Sequence, residues 1–216
     1  KYVKKNNKKN FNTSLDKKKV LIVGNCHADD TFVALNINKQ KFQDYEIILF
    51  PRVEIHNFLN DIKKRKKLYD DADIILLSSR WRVKEDFKNF ADLIEKIEKD
   101  KKKLILLNNI PEFNYNERNY RIRRVSLTNY KQLVIEKKST NFSENEIFDL
   151  KRKYYDQYIQ NTEINYINKK LDIFAKSHNI KIIDQSKLLC SDTKKTCNFL
   201  IKEIKDEMFR DYGRFS

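Results

Sequence analysis

The chain has 216 residues, of which 40% are hydrophobic and 12% aromatic, which is enough for one sizeable domain with its own core. Lysine and arginine outnumber aspartate and glutamate by 46 to 31, but the basic residues are spread among acidic ones and asparagines, and no nucleic-acid-binding motif occurs. Nucleic acid is therefore not expected as a partner, and no run is long and apolar enough to span a bilayer.

Residues 1–18 form a basic, asparagine-rich segment with few apolar side chains. Such a composition offers little to bury and predicts a linker or tail. Because the sequence begins with Lys1 and not with methionine, we expect this segment to continue a longer protein. The folded domain is predicted to span residues 19–216.

The first predicted strand, residues 20–23, runs directly into Gly24, Asn25, Cys26 and His27, where polarity begins. The chain has only two glycines, whereas average usage would give about 15. A glycine at the end of a strand indicates a backbone with positive φ or a place where room is left for a ligand. We therefore expect a site to begin at this turn, where Asn25 either orients the backbone or donates to an oxyanion.

The remaining predicted elements alternate along the chain. They are a helix at 29–38, a strand at 46–50, a helix at 55–68, a strand at 73–77, a helix at 85–99, a strand at 104–107, one or two helices within 143–175 and a strand at 180–183. Residues 114–141 are polar and show no readable pattern. Parallel strands need crossover connections, which are usually helices. The predicted fold class is therefore α/β, a flavodoxin-like three-layer α/β/α domain with a central parallel sheet of about five strands.

Ligands bind such open sheets beyond the carboxyl ends of the strands. The polar residues that follow the predicted strands are therefore expected along one edge. They are Asn25, Cys26, His27, Arg52, Ser79, Arg80, Trp81, Asn108, Asn109 and Asp184.

Several segments, in this order, resemble the SGNH (GDSL-like) hydrolases, and more closely the SGNH domains attached to acyltransferase-3 membrane proteins. They are Gly-Asn-Cys-His at 24–27, the strand ending in Ser-Ser-Arg-Trp at 78–81, Ile-Pro-Glu-Phe at 110–113, the segment 182–190 with Cys197, and Asp-Tyr-Gly-Arg-Phe-Ser at 211–216. The resemblance covers roughly residues 18–216. It implies acyl transfer, in which a side-chain nucleophile attacks an ester carbonyl and a histidine moves the proton.

Two positions depart from the pattern of this family. Cys26 stands where the family has its nucleophilic serine, and Arg214, three residues after Asp211, stands where it has its catalytic histidine. A thiolate is a strong nucleophile, but an arginine keeps its proton at neutral pH and cannot act as a base. His56 follows the second strand on the functional edge and is a possible alternative base, whereas His178 precedes the fifth strand on the opposite edge and is excluded.

The resemblance also implies oxyanion and substrate contacts from Gly24, Asn25, His27, Arg80 and Trp81. The family's usual second-block glycine is absent, since no glycine lies between positions 24 and 213. Arg80 could take over part of its electrostatic role, or it could be a surface arginine stacked on Trp81. His27 adjoins the nucleophile position and is another possible base, although neighbouring side chains on such a turn usually point apart.

Cys190 and Cys197 correspond to a late cysteine pair of the family, which implies a disulfide, and two thiols are the alternative. The same resemblance implies a periplasmic or extracytoplasmic domain, tethered to the membrane through sequence that precedes residue 1. It implies no cofactor and no metal.

Three functions are compatible with these patterns. The first is an SGNH-type ester hydrolase or O-acyltransferase domain, of altered or impaired activity, that acts on cell-surface or exported carbohydrate. Its partners would be an acyl donor, a carbohydrate acceptor or acylated glycan, and an attached membrane acyltransferase domain. The second is a non-catalytic carbohydrate- or acyl-binding module with the same fold. The third, a nucleotide- or phosphate-binding domain, has little support because the first loop lacks repeated glycines.

Overall fold

The computed structural model describes residues 6–12, 16–82, 86–110 and 162–185, residues 3, 14 and 187, and the backbone of six short strands between residues 190 and 215. The chain divides into two compact units. One comprises residues 1–109 and 166–185, and the other comprises residues 110–165 and 186–216. The predicted single domain over 19–216 contains residues of both units and stays a prediction.

A five-stranded parallel sheet forms the centre of the first unit. Its strands are β1 (Lys18–Val23), β2 (Tyr45–Leu49), β3 (Ile74–Ser78), β4 (Lys103–Leu107) and β5 (Lys181–Ile183). The spatial order is β2-β1-β3-β4-β5, and all neighbouring pairs are parallel. The strand order therefore reverses between β1 and β3. This architecture confirms the predicted α/β class and the predicted number of strands.

Helices connect these strands. Within the described residues they are α1 (Cys26–Ile37), α2 (Phe58–Lys64), α3 (Lys66–Asp70), α4 (Phe90–Lys99) and α5 (Thr162–Ser177), with 3-10 turns at Lys39–Lys41 and Ile55–Asn57. In α4 the buried residues Phe90, Leu93, Ile94 and Ile97 follow helical spacing and share one face. Full burial of one such side chain contributes about 1.5–3 kcal/mol, so this stripe is the main attachment of the helix.

The side chains of β1 alternate between two buried faces. Val20 and Ile22 pack with Ala28 and Phe32 of α1 in one hydrophobic cluster. Leu21 points to the opposite face of the sheet and is also 0% exposed. Since both faces of β1 are buried, the sheet is a central layer, and this explains why its strands are continuous apolar runs.

Two predicted helices differ from the observed ones. The predicted helix over 55–68 is interrupted at Arg65, whose φ of −130° and ψ of 41° lie outside the helical region. The predicted helix over 85–99 begins only at Phe90. Asn89, directly before it, has a left-handed backbone with a φ of 61°, which an α-helix cannot continue through.

Part of the predicted linker or tail packs against the first unit. Phe11 is only 5% exposed. The Asn7 side chain donates to the carbonyl of Leu49 at 2.8 Å and accepts from its N–H at 2.9 Å. Lys8 Nζ lies 2.8 Å from Glu46 Oε1. Because β2 is an edge strand, these contacts cover polar groups that would otherwise face solvent, so the segment buries more than its composition indicates.

The described part of the C-terminal region consists of three antiparallel strand pairs. They are β6 (Cys190–Ser191) with β7 (Thr196–Cys197), β8 (Leu200–Ile201) with β9 (Asp206–Glu207), and β10 (Phe209–Asp211) with β11 (Arg214–Phe215). The stretch 114–141 and the predicted helix between 143 and 161 lie outside the described residues.

Candidate active site

The turn after β1 requires glycine at position 24. Gly24 has a φ of 151°, which residues with a side chain rarely adopt. A Cβ atom at this position would lie 1.9 Å from the carbonyl oxygen of Ser78, the last residue of β3. The turn therefore lies directly against the end of β3, where the strand order reverses. The positive φ expected of this glycine is confirmed, whereas the space that its missing side chain leaves is taken by the Ser78 carbonyl, and room for a ligand stays a prediction.

Asn25 ties this turn to two other loops. Its side chain is buried, and Oδ1 accepts hydrogen bonds from the backbone N–H groups of His27 at 3.3 Å and Arg80 at 3.0 Å. Its Nδ2 donates to Glu54 Oε2 at 3.3 Å. The first contact caps α1, so the helix begins three residues before its predicted start. Asn25 thus orients the turn, and its donation to an oxyanion stays a prediction.

Cys26 is the first residue of α1. It is a free cysteine of intermediate exposure, and its Sγ lies 3.9 Å from Asn25 Oδ1. The first backbone N–H groups of a helix have no partner within the helix, and they attract anions. The thiol therefore lies at the N-terminal, positive end of the helix dipole.

Arg52 places a permanent positive charge beside the same turn. Its guanidinium pairs with Asp29, which lies in the first turn of α1. The hydrogen bond to Asp29 raises the pKa of Arg52, and the negative charge of a Cys26 thiolate raises it further. Arg52 thus places a positive charge beside the first turn of α1, which also contains Cys26.

His27 is part of the packing beneath the turn. Its side chain is 6% exposed, and its carbonyl accepts hydrogen bonds from Thr31 Oγ1 at 3.0 Å and Ser78 Oγ at 3.2 Å. The hydroxyls of Thr31 and Ser78 are themselves 2.7 Å apart. These bonds join the first turn of α1 to the end of β3. The burial of His27 limits its access to a substrate in solvent.

Trp81 belongs to the core. Its side chain is 0% exposed, and its Nε1 donates to the carbonyl of Leu107 at 2.7 Å. Its backbone N–H donates to Asn109 Oδ1 at 2.7 Å, and its ring makes an edge contact with Phe90. The ring is enclosed by these partners, and both the substrate contact of Trp81 and the stack of Arg80 on this ring stay predictions. The electrostatic role expected of Arg80 stays a prediction.

His56 lies in the 3-10 turn after β2 and faces a buried aspartate. Its Nδ1 is 3.8 Å from Asp86 Oδ1, and its Nε2 is 3.1 Å from Asn57 Nδ2. Asp86 is 1% exposed, and its Oδ2 accepts a hydrogen bond from the Arg82 N–H at 2.7 Å. Burial raises the pKa of Asp86, and the negative charge of Glu54 adds to the shift, whereas the Arg82 hydrogen bond opposes it. The imidazole is partly exposed, whereas the carboxyl group is enclosed.

The ends of β4 and β5 are joined by polar contacts. Asn108 Nδ2 donates to Asp184 Oδ1 at 2.6 Å, and Asn108 Oδ1 accepts from the Gln185 N–H at 2.7 Å. Asn109 exchanges hydrogen bonds with the Asn168 side chain, both at 2.9 Å. These residues follow the strand ends, as predicted, and their hydrogen bonds hold the loops in place.

The predicted residues of the C-terminal region are described only by their backbone. Asp211 and Arg214 are paired across β10 and β11, and Cys190 and Cys197 are paired across β6 and β7. Their side chains lie outside the described residues. The roles of Asp211 and Arg214 beside Cys26, and the disulfide, therefore stay predictions.

Three charged residues near the turn were not predicted as site residues. Arg52 was placed on the edge without a role, and neither Glu54 nor Asp86 was singled out. Each acts through a contact with a distant part of the sequence, so no local spacing indicates it. Among the described side chains there is no group of three or more metal-ligating residues. No helix in the described ranges is long and apolar enough to cross a membrane.

The parallel sheet, its strand order and the glycine turn at the end of β1 define an SGNH-type α/β domain. The family model for the SGNH domain fused to AT3 domains matches residues 3–212, and the chain belongs to this family. The family resemblance found in the sequence is thereby confirmed. No curated protein sequence is significantly similar to the chain.

Two solved structures share the fold. A GDSL-like lipase from Bacteroides thetaiotaomicron VPI-5482 is 14% identical with a TM-score of 0.50, and the match covers 92% of this chain and 80% of that one. A protein from Bacteroides fragilis NCTC 9343, described as an acylhydrolase, is 12% identical with a TM-score of 0.52, over 100% of this chain and 86% of that one. At these identities the similarity establishes the fold alone.

Proposed function

We propose that the chain is an SGNH-type ester hydrolase or O-acyltransferase domain in which Cys26 is the nucleophile. The observation that carries this proposal is the position of the thiol. It lies on the first turn of α1, directly after the glycine turn that packs on β3 at the reversal of strand order. Open α/β sheets bind their ligands at this point.

The proposed reaction has two steps. In the first, Cys26 Sγ attacks the ester carbonyl carbon, a C–S bond forms, the C–O bond breaks, and the leaving hydroxyl takes the proton that the thiol has lost. In the second, water or a sugar hydroxyl attacks the thioester, the C–S bond breaks and the proton returns to sulfur. Water gives hydrolysis, and a sugar hydroxyl gives acyl transfer.

The surroundings of Cys26 support both steps. The positive end of the α1 dipole favours the negative charge of each tetrahedral intermediate. Arg52, fixed by Asp29, adds a positive charge that favours the anionic intermediate. Asn25 holds the turn through its contacts with Arg80 and Glu54, so Cys26 is positioned before the substrate binds.

We further propose a carbohydrate substrate on the outer side of the membrane. The family is named for SGNH domains fused to AT3 domains, which supports an extracytoplasmic domain attached to a membrane acyltransferase. The partners would be an acyl donor and either a carbohydrate acceptor or an acylated glycan. The net charge of +15 favours acidic glycans among these.

A second candidate is a non-catalytic carbohydrate- or acyl-binding module. It is favoured by one observation, the arginine at position 214 where the family has its catalytic histidine. An arginine binds anions but does not accept a proton at neutral pH.

Hydrolysis of p-nitrophenyl acetate separates the two candidates. The assay compares the chain with Cys26→Ala, Cys26→Ser, Arg214→His and the double variant Cys26→Ser/Arg214→His. An active thiol predicts turnover by the unaltered chain and a loss of about 10²-fold or more in Cys26→Ala. Turnover that emerges only in the double variant would indicate a decayed site and would support the binding module.

A further inference from the structure

We propose that His56, oriented by the buried carboxyl group of Asp86, is the general base that serves Cys26. This inference rests on the proposed function, since it assigns a base to the same thiol. The histidine position of the family pattern holds Arg214, which cannot accept a proton, so a catalytic thiol needs a base from elsewhere in the chain. His27 is 6% exposed, whereas the His56 side chain is 30% exposed.

The pair has the arrangement that a base and its orienting carboxylate require. Asp86 Oδ1 faces His56 Nδ1 at 3.8 Å, and the other oxygen is held by the Arg82 N–H at 2.7 Å. The Arg82 bond fixes the carboxyl plane, so Oδ1 is directed at the imidazole. A movement of about 1 Å would bring the two atoms to hydrogen-bond distance, and such contacts often shorten when substrate binds.

The contacts of the two ring nitrogens of His56 indicate the same tautomer. Among the described residues, no hydrogen-bond partner reaches His56 Nδ1, and Asp86 Oδ1 is the charged atom that faces it. With its proton on Nδ1, the ring donates towards Asp86, and Nε2 accepts from Asn57 Nδ2 at 3.1 Å. Nε2 is then the basic nitrogen. Asn57 is exposed, so its amide can turn away and release Nε2 for a thiol proton.

The loop that carries His56 is tied to the two residues that precede Cys26. The N–H of Val53 donates to the Gly24 carbonyl at 3.0 Å, and Glu54 Oε2 accepts from Asn25 Nδ2 at 3.3 Å. Cys26 directly follows Asn25, and His56 is two residues from Glu54. Two residues span at most about 7 Å of backbone, so Cys26 and His56 both lie within two residues of this pair of hydrogen bonds at the sheet edge.

The charged groups near the imidazole are of both signs. Asp86 and Glu54 are the acidic groups on this side, and Arg82 is the basic group beside Asp86. When Nε2 takes the thiol proton, the imidazolium stands next to the Asp86 carboxylate. The proton passes from Nε2 to the leaving hydroxyl as the C–O bond breaks, so His56 ends the step neutral.

The test combines esterase activity with alkylation of Cys26 by iodoacetamide, followed by mass spectrometry of the peptide that contains it. We expect His56→Gln to lower kcat/KM by about 10²-fold and to slow alkylation at pH 7 by about tenfold, with equal rates at pH 10, where the thiolate forms without a base. His178→Gln, an exposed histidine outside this edge, is the matched control and should change neither rate.

Asp86 acts as a positioning residue and is tested by Asp86→Asn. The amide oxygen can keep the Arg82 bond, but the NH₂ group then donates to Nδ1 and leaves the ring proton on Nε2, where it blocks proton transfer. We expect kcat to fall with KM nearly constant, and the pH dependence of alkylation to match that of His56→Gln. A circular dichroism melt of each variant shows that the fold is kept.

Each result decides one of two questions. Esterase activity that is lost in Cys26→Ala but unchanged in His56→Gln would overturn the proposed base and leave the proposed function in place. Absence of esterase activity from the unaltered chain would count against the proposed function, and the alkylation profiles would still decide whether His56 takes the thiol proton. Identical profiles for His56→Gln and His178→Gln would overturn the inference.

Discussion

The side-chain amide of Asn25 donates a hydrogen bond to Glu54 Oε2 over 3.3 Å, which joins the turn after β1 to the loop after β2. In Asn25→Asp the donor becomes a second carboxylate oxygen that faces Glu54. We expect a loss of about 1–3 kcal/mol in the free energy of unfolding, measured by urea denaturation at pH 7. Glu54→Gln should restore most of this loss in the double variant, because the glutamine amide can donate to the new aspartate.

The double-mutant cycle supplies its own control. Glu54→Gln alone keeps an oxygen that can accept from Asn25, so its effect should stay within about 0.5 kcal/mol. A double variant whose loss equals the sum of the two single effects would show that the two side chains are not coupled.

Gly24 cannot be exchanged for alanine without moving β3. The added Cβ would lie 1.9 Å from the Ser78 carbonyl oxygen, and the φ of 151° is itself strained for alanine. We expect Gly24→Ala to lower the free energy of unfolding by at least about 2 kcal/mol. Ala34→Ser, at an exposed position of α1, is the control and should lower the free energy of unfolding by about 0.5 kcal/mol. Equal midpoints of urea unfolding for the two variants would contradict the close approach.

Asp86 should destabilise the fold at neutral pH. Its pKa in the folded chain is raised, mainly by burial, so the folded state binds more protons than the unfolded state above pH 3.8, the ordinary value for aspartate. Stability therefore falls as pH rises through this window. We expect Asp86→Asn to raise the Tm at pH 7. At pH 3, where the aspartate is neutral in both the folded and the unfolded state, we expect no increase in Tm.

Calorimetry at pH 3, 5 and 7 checks this dependence on pH. Asp92→Asn removes the same charge from an exposed position of α4 and should not raise the Tm at any of these three pH values. A Tm gain for Asp86→Asn that is the same at pH 3 and pH 7 would show that the buried charge is not its cause.

Cys190 and Cys197 are paired directly across β6 and β7. Opposed Cα atoms in an antiparallel pair lie about 4.5–5.5 Å apart, within the disulfide range of about 4.4–6.8 Å. Of the three cysteines, we expect only Cys26 to react with Ellman's reagent in protein from an oxidising compartment. Reduction should expose all three thiols and lower the free energy of unfolding by about 2–3 kcal/mol. Three reactive thiols before reduction would contradict the bridge.

The sheet could be predicted from the sequence because its strands are buried on both faces. Such strands are short apolar runs, and the residues before and after β1 and β3 are polar, so the edge of the sheet was also readable. The turn at Gly24 was predictable for a similar reason, since a glycine-poor chain has one at a strand end. These features depend on local sequence, and local sequence is sufficient to find them.

The remaining features depend on contacts between distant residues. Arg65 interrupts a segment whose apolar spacing is helical throughout, and Asn89 delays α4 although asparagine gives no clear signal there. The approach of Asp86 to His56 joins residues 30 positions apart, and Trp81 is buried by partners on other elements. Composition likewise assigned Phe11 to a tail, although the residue is buried. Its burial depends on contacts with distant residues, which composition does not show.

The two hydrogen bonds between Asn7 and Leu49 occupy the open side of β2 in the way that a neighbouring strand would. An uncovered strand at this position is a template on which another polypeptide can add by main-chain pairing. The segment that precedes β1 therefore also protects this edge of the sheet against aggregation. The Asn7 side chain makes the hydrogen bonds that a sixth strand would otherwise make.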